Sequence, residues 1–222
     1  MSRGIKFAVG EYYHVFNRGA DKRPIFNEPN DSKRFFQSMI EFNIEKPIGS
    51  IYENSFRKGN ADTITKPGKP LVSFLAYCLN PNHYHFILRP LSDHGIKRFM
   101  HRLGTGYTNY FNEKYERDGV LFQGRFKATH ININEYLLHV SVYVNLNFKV
   151  HQLGSSTSKS LVRSSWGEYI NESGENICDK DIILGQFKKP YQYEKFALDA
   201  LESITERKMK EKGKELKVLL ID

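Results

Sequence analysis

"LVSFLAYCLNPNHYHFILRP", residues 71–90, is the stretch whose reading decides the fold. Leu71 to Leu79 form a run of apolar, β-branched and aromatic residues that reads as a strand. Asn80-Pro81-Asn82 supplies turn chemistry, and "HYHFILRP" returns as the second arm of a hairpin. Side chains alternate between faces along a strand, so His83 and His85 share one face while Tyr84 and Phe86 share the other. Two imidazoles on one strand face are a candidate pair of metal ligands. A half-exposed strand with incidental histidines carries the same pattern, so the rest of the chain has to decide.

Working outward, "EYYHVFNRG" (11–19) reads as a strand closed by a turn. "NDSKRFFQSMIEFNIE" (30–45) opens with capping residues and places Phe35, Phe36, Met39 and Ile40 at helical spacing. Residues 46–70 have no period and hold three prolines and three glycines, which predicts a long loop. After the hairpin, residues 95–115 have helical spacing at Ile96, Phe99, Leu103, Tyr107 and Tyr110, interrupted by Gly104 and Gly106. "GVLFQGRFKATHI" (119–131) alternates as a further strand. Asn132, three residues before Glu135, predicts a capping-box opening for a helix running from Ile133 through Asn147 to Lys149. A linker at 154–165 follows, and the chain closes with a basic amphipathic helix at 193–217.

Strand, helix, strand, strand, helix, strand, helix is the order of an α+β sandwich of the ferredoxin-like kind, a βαββαβα core with a C-terminal helical tail. The expected division is a domain at 1–152 and a linker with a basic helical extension at 153–222. That fold hosts nucleases, polymerase palms and RNA-binding modules alike, so function must be read from the site.

Charge narrows the partner. The chain of 222 residues carries a formal net charge of +8, which favours a polyanion, nucleic acid before a membrane surface. Two cysteines, Cys78 and Cys178, make neither a disulfide framework nor a zinc pattern and suit a reducing cytosol. Neither a signal peptide nor a run of roughly 20 apolar residues is visible, so the expected location is cytoplasmic, without a membrane partner.

On the helix after Glu135, with about 100° of rotation per residue, Tyr136, His139, Tyr143 and Asn147 fall in one narrow sector that contains no Lys, Asp or Glu. It reads as the lining of a site. Two imidazole nitrogens and an Asn oxygen leave open positions on a divalent cation, where a phosphodiester oxygen can bind. A deprotonated tyrosine in the same place can attack phosphorus and form a covalent phosphotyrosine. A free tyrosine has a pKa near 10, so a cation or base must assist.

At these residues the chain resembles the HUH-superfamily single-tyrosine transposases, most of all the REP-associated tyrosine transposases related to small insertion-sequence enzymes. The matching blocks are "YYHVFNRGADKRPIF", "AYCLNPNHYHFILRP", "RFMHRLGTGYTNYFNEKY", "LFQGRFKATHI" and "EYLLHVSVYVNLN", in the family's order between about residues 12 and 149. The resemblance implies that His83, His85 and Asn147 hold Mg²⁺ or Mn²⁺ and that Tyr143 is the nucleophile, with Tyr136 as the alternative. It implies a single-stranded DNA substrate bearing a hairpin from a palindromic repeat, nicked to leave a 5′-phosphotyrosine and a free 3′-hydroxyl by a monomer or homodimer. "NFKVHQLG" stands where the family has a proline after Asn147, and no family block matches beyond about residue 175.

Arg18, Lys22 and Arg23 after the first strand are phosphate-contact candidates on charge. Gln123, Arg125 and Lys127, at alternating positions, are expected to line one strand face toward DNA. Two rival readings stay open: a catalytically inactive or domesticated DNA-binding protein for palindromic hairpins, and an RRM-like RNA-binding module of the same element order.

Overall fold

Strands Tyr12–Arg18 (β1), Val72–Asn80 (β2), His83–Pro90 (β3), Lys127–Ile131 (β4) and Arg163–Ser164 (β5) form one sheet in the order β4-β1-β3-β2-β5. Every pairing is antiparallel. The computed structural model describes residues 5–54, 68–151, 160–171 and 175–219. Helices Pro29–Glu41 (α1) and Gly95–Lys114 (α2) cross on one face, in the expected ferredoxin-like order. Asn134–Asn145 (α3) covers the other face, followed by Asn147–Val150 (α4), Trp166–Tyr169 (α5), Asp181–Leu184 (α6) and the long Pro190–Leu219 (α7). The fold is α+β.

Alternation along the strands builds two cores. Tyr13, Val15, Tyr84, Phe86 and Leu88 point toward α1 and α2, where they meet Phe35, Phe99, Leu103 and Tyr107. Leu75, Cys78 and Ile87 point the other way, against Leu137, Val140 and Val144 of α3. Tyr169, Ile183, Tyr193 and Ala197 complete this second core, so it draws on residues from both sides of position 152. Each fully buried Val, Leu, Ile or Phe side chain of the two cores contributes about 1.5–3 kcal/mol relative to exposure.

Tyr193 ties the tail to α3. Its hydroxyl lies 3.0 Å from Ser141 Oγ and accepts from Asn145 Nδ2 at 2.9 Å, while Ser164 Oγ donates to the Asn145 carbonyl at 2.6 Å. These bonds tie α3 to α7 and to β5 of the same chain.

Four expectations need correction. Strand β4 begins only at Lys127, because Gly124 turns the chain with φ +67° and Leu121 and Phe122 are buried consecutively. Helix α3 is capped by Ile133 without a side-chain hydrogen bond, so Asn132 forms no capping box. The helix does not run on through Asn147: Leu146, at φ −108° and ψ 15°, breaks it, and Asn147 opens α4. The expected linker at 154–165 contains β5, hydrogen-bonded to Cys78 and Leu79 of β2. Residues 55–67 of the expected loop and 152–159 of that linker lie outside the described residues. Among the described residues no helix is long and apolar enough to cross a membrane.

Asp31 locks α1 to α2. Its side chain is fully buried; Oδ1 accepts from Lys114 Nζ at 2.6 Å, and Oδ2 from the Tyr115 hydroxyl at 2.7 Å and the Asn27 amide at 2.9 Å. Burial pushes this carboxyl up, but the Lys114, Tyr115 and backbone hydrogen bonds outweigh it and hold the pKa below the usual carboxylate range. A group depressed in this way contributes stability above the ordinary carboxylate pKa and loses it as pH falls through the folded value. Asp31→Asn is expected to cost about 2–4 kcal/mol in urea unfolding at neutral pH. The gap from wild type narrows below about pH 4. An equal cost at both pH values would remove the charge from the explanation.

Candidate active site on the α3 face of the sheet

Register brings the site together. Phe16 of β1 and Cys78 of β2 flank His85, and Arg18 and Asn80 flank His83. Both histidines face α3, while Tyr84 is buried against Phe35, Phe86 and Phe122 on the opposite side. The two imidazoles stand 5.2 Å apart between ring centroids, nearly perpendicular at 85°. Tyr143 reaches them from α3, its ring edge-on to His85 at 5.4 Å. The paired histidines of the hairpin and the phenol of the late helix converge within one chain.

Asn147 reaches the same place across the break at Leu146. Its Oδ1 lies 2.9 Å from His83 Nε2 and accepts from Asn80 Nδ2 at 2.7 Å. With the His83 ring proton on Nδ1, that atom donates to Asn82 Oδ1 at 2.7 Å. That leaves the Nε2 lone pair facing the Asn147 oxygen, with the Asn80 amide at 2.9 Å donating between them. Two acceptors held this close and bridged by one donor are the arrangement a cation would satisfy. The separation matches the roughly 3.0 Å edge of an octahedron whose metal–ligand bonds are about 2.1 Å. Asn147 Nδ2 is buried without a full hydrogen bond, and the Asn147 amide acts on the Tyr143 phenol instead. Among the described residues no group of three or more His, Cys, Asp or Glu is placed to hold a metal. The donor set here is two imidazoles and an amide oxygen, a mixed N/O set of the kind that suits a divalent cation.

His14 of β1 was not singled out by sequence reading. Its Nε2 lies 2.9 Å from His85 Nδ1, the rings stack at 5.1 Å, and its ring is also 6.0 Å from that of Tyr143. Burial pushes its pKa down to about 4, so it is neutral at physiological pH. A single proton then lies between the rings; with His85 Nδ1 as donor, His85 Nε2 carries the lone pair. The signal in the sequence was a histidine on the same strand face as Phe16, but only the β1–β3 register makes it a neighbour of His85.

Burial raises the Tyr143 phenol above its ordinary pKa, the Asn147 amide opposing this. Tyr136 is 36% exposed and lies in a groove that α3 forms with α7, together with His14, His139, Tyr143 and Arg207. Tyr136 and Tyr143 thus line one groove, and Tyr143 alone also stands edge-on to His85.

The basic candidates scatter around the far end of β1. Arg18 Nε donates to Gln123 Oε1, Arg23 pairs with Asp21 at 3.3 Å, and Lys22 is exposed at φ +61°. Gln123 and Arg125 lie in the turn before β4 and Lys127 is its first residue, so the three do not form one strand face.

Residues 68–147 match the family model described as IS200-like transposase, and this span contains both histidines, Tyr143 and Asn147. That span is what the chain shares with the IS200-like transposases. Among solved structures, one of a REP-associated tyrosine transposase bound to a REP hairpin superposes with a TM-score of 0.50 at 11% identity. The match covers 81% of this chain and 93% of that one. At that identity the likeness speaks for the fold alone. No curated protein matches the chain.

Proposed function

We propose that the chain is a metal-dependent endonuclease and strand transferase of the REP-associated type. On this reading it nicks single-stranded DNA at or near a hairpin and acts with its own subunit's tyrosine. The convergence of Tyr143 with His83, His85 and Asn147 inside one chain carries this reading. His83, His85 and Asn147 would hold the cation, which supplies charge withdrawal from a phosphodiester oxygen. Tyr143 Oη attacks phosphorus, the new O–P bond replaces the P–O3′ bond, and the departing oxygen takes up a proton as the free 3′-hydroxyl. The phenolic proton leaves to solvent or a base, and a second strand's 3′-hydroxyl can reverse the exchange. His14 positions: as acceptor for His85 Nδ1–H it fixes the tautomer that presents Nε2.

Among the described residues helices cover both faces of the sheet and leave no open aromatic platform for RNA, which disfavours the RRM-like reading. The test incubates the full chain with hairpin-bearing single-stranded DNA and Mn²⁺ or Mg²⁺. A DNA-linked species that survives boiling in SDS is expected, and chelation abolishes it. Tight hairpin binding without any adduct would instead favour the binding-only reading. For His14→Ala, Mn²⁺ affinity by titration calorimetry is expected to fall about 10–100-fold, with partial rescue by His14→Gln, which keeps an acceptor. Unchanged affinity would reduce His14 to packing.

A further inference from the structure

Asn80, the last residue of β2, is fully buried, and a buried amide has to find partners for both of its ends. An Asn at the edge of a turn commonly bonds the turn's own backbone. The Asn80 side chain instead bonds to Cys78, His83 and Asn147. Register accounts for the set. Cys78 and Asn80 stand opposite His85 and His83 in the β2–β3 ladder, so all four side chains share the α3 face.

The amide closes a triangle. Asn80 Nδ2 lies 2.9 Å from His83 Nε2 and 2.7 Å from Asn147 Oδ1, and those two atoms are 2.9 Å apart. Three ligand atoms on one face of an octahedron with bonds of about 2.0–2.1 Å are separated by roughly 2.8–3.0 Å. The corner at Asn80 has the right place and the wrong polarity, because its N–H groups point where a cation would sit. Asn80 has no exposed surface through which to swing aside, and its neighbour Cys78 is equally buried. Half a turn about Cβ–Cγ exchanges nitrogen for oxygen with almost no change of shape.

The contact at the other end of the amide allows that turn. Asn80 Oδ1 accepts from Cys78 Sγ at 3.6 Å. A thiol is a weak donor and a weak acceptor, so it can meet either end of an amide, where an ammonium or a carboxylate would fix one. The Phe148 backbone and the Ser164 side chain bond to the same thiol and hold it in place.

We infer that Asn80 is a two-way element of the cation site. In the arrangement seen here it bridges His83 Nε2 and Asn147 Oδ1 as a donor. With a divalent cation bound it turns over and presents Oδ1 as a further ligand beside His83, His85 and Asn147, its Nδ2 then facing Cys78. This rests on the metal-dependent reading above and adds an oxygen to the donors named there.

Mn²⁺ titration calorimetry on the full chain separates this role from a purely structural one. Asn80→Asp presents oxygen without turning and adds charge, so it is expected to bind Mn²⁺ about tenfold more tightly than wild type. Asn80→Leu, of similar size with neither group, is expected to bind about 10–100-fold more weakly. Mn²⁺ should also raise the melting temperature of Asn80→Asp by more than it raises that of wild type. If Asn80 serves only as a donor to Asn147, the aspartate lacks the N–H just as leucine does, and both variants bind Mn²⁺ more weakly than wild type. That result would overturn the assignment, as would unchanged affinity in both. Wild type alone supplies a second measurement, by NMR on ¹⁵N-labelled chain titrated with Mg²⁺. The Asn80 side-chain NH₂ pair, assigned through its own Cβ, is expected to shift on saturation; a pair that stays fixed while the His83 ring signals move would sink the idea. Asn80-dependent Mn²⁺ binding without any Tyr143 adduct would remove the catalytic reading and leave the ligand in place. An adduct that forms with a metal affinity indifferent to Asn80 would remove the ligand alone.

Discussion

Tyr143→Phe is expected to abolish the SDS-resistant DNA adduct and to lower strand cleavage by a factor on the order of 10⁴ or more, the scale of losing a covalent nucleophile. The substitution removes one oxygen and leaves the ring edge-packed on His85, so folding and hairpin binding should be unaffected. Burial holds this phenol above its ordinary pKa, which keeps it protonated at neutral pH and makes its ionisation depend on help from the site. Tyr136→Phe is the internal control. That residue lies in the α3–α7 groove, exposed, and its loss should leave the adduct in place. An adduct that persists in Tyr143→Phe and disappears in Tyr136→Phe would exchange their roles. The measurement is gel shift after denaturation, with circular dichroism on each variant.

The parts of the fold that were legible in the sequence are those with long periods and strong punctuation. Leu71 to Pro90 is bounded by proline and turned by Asn80-Pro81-Asn82, and it folds as the hairpin β2–β3. Strand β5 was hidden because two residues cannot display a period; only the partner carbonyls and amides of Cys78 and Leu79 make Arg163–Ser164 a strand. The turn at 121–126 read as strand because Gln123, Arg125 and Lys127 fall at alternate positions, whereas the local backbone is set by Gly124 at φ +67°. At the site, His83, His85 and Tyr143 were visible as residue types at suggestive spacings. Asn147 was visible for a reason that does not hold. An unbroken helix would carry it one turn beyond Tyr143, but the break at Leu146 sets its direction, and the Asn80 and His83 contacts fix its oxygen. His14 and Asn80 were silent, since their part in the site depends on sheet register and on a hydrogen bond across a turn, which residue spacing does not encode.

Removing the histidines separates metal binding from fold. His83→Ala is expected to weaken Mn²⁺ binding by about 100-fold or more, since one of three donors is lost, and to eliminate the adduct at any practical metal concentration. Stability should change by about 1 kcal/mol or less, because Asn80 Nδ2 still donates to Asn147 Oδ1 and the His83 position is partly exposed. His85→Ala should weaken the metal as much and cost more stability, about 1–3 kcal/mol, because it strands the buried His14 Nε2 without its partner at 2.9 Å. On the proposed reading hairpin affinity should survive in both, since neither histidine is among the phosphate-contact candidates. The discriminating comparison is therefore Mn²⁺ titration against chemical unfolding on the same two proteins. If both variants bind Mn²⁺ like wild type, the paired imidazoles serve the sheet and not the cation. If His83→Ala alone loses the metal, His85 is held for His14 and Tyr143 packing. The donor set must then be completed from Asn147 and its neighbours, a result that Asn147→Asp, with its added charge beside His83, should show as tighter Mn²⁺ binding.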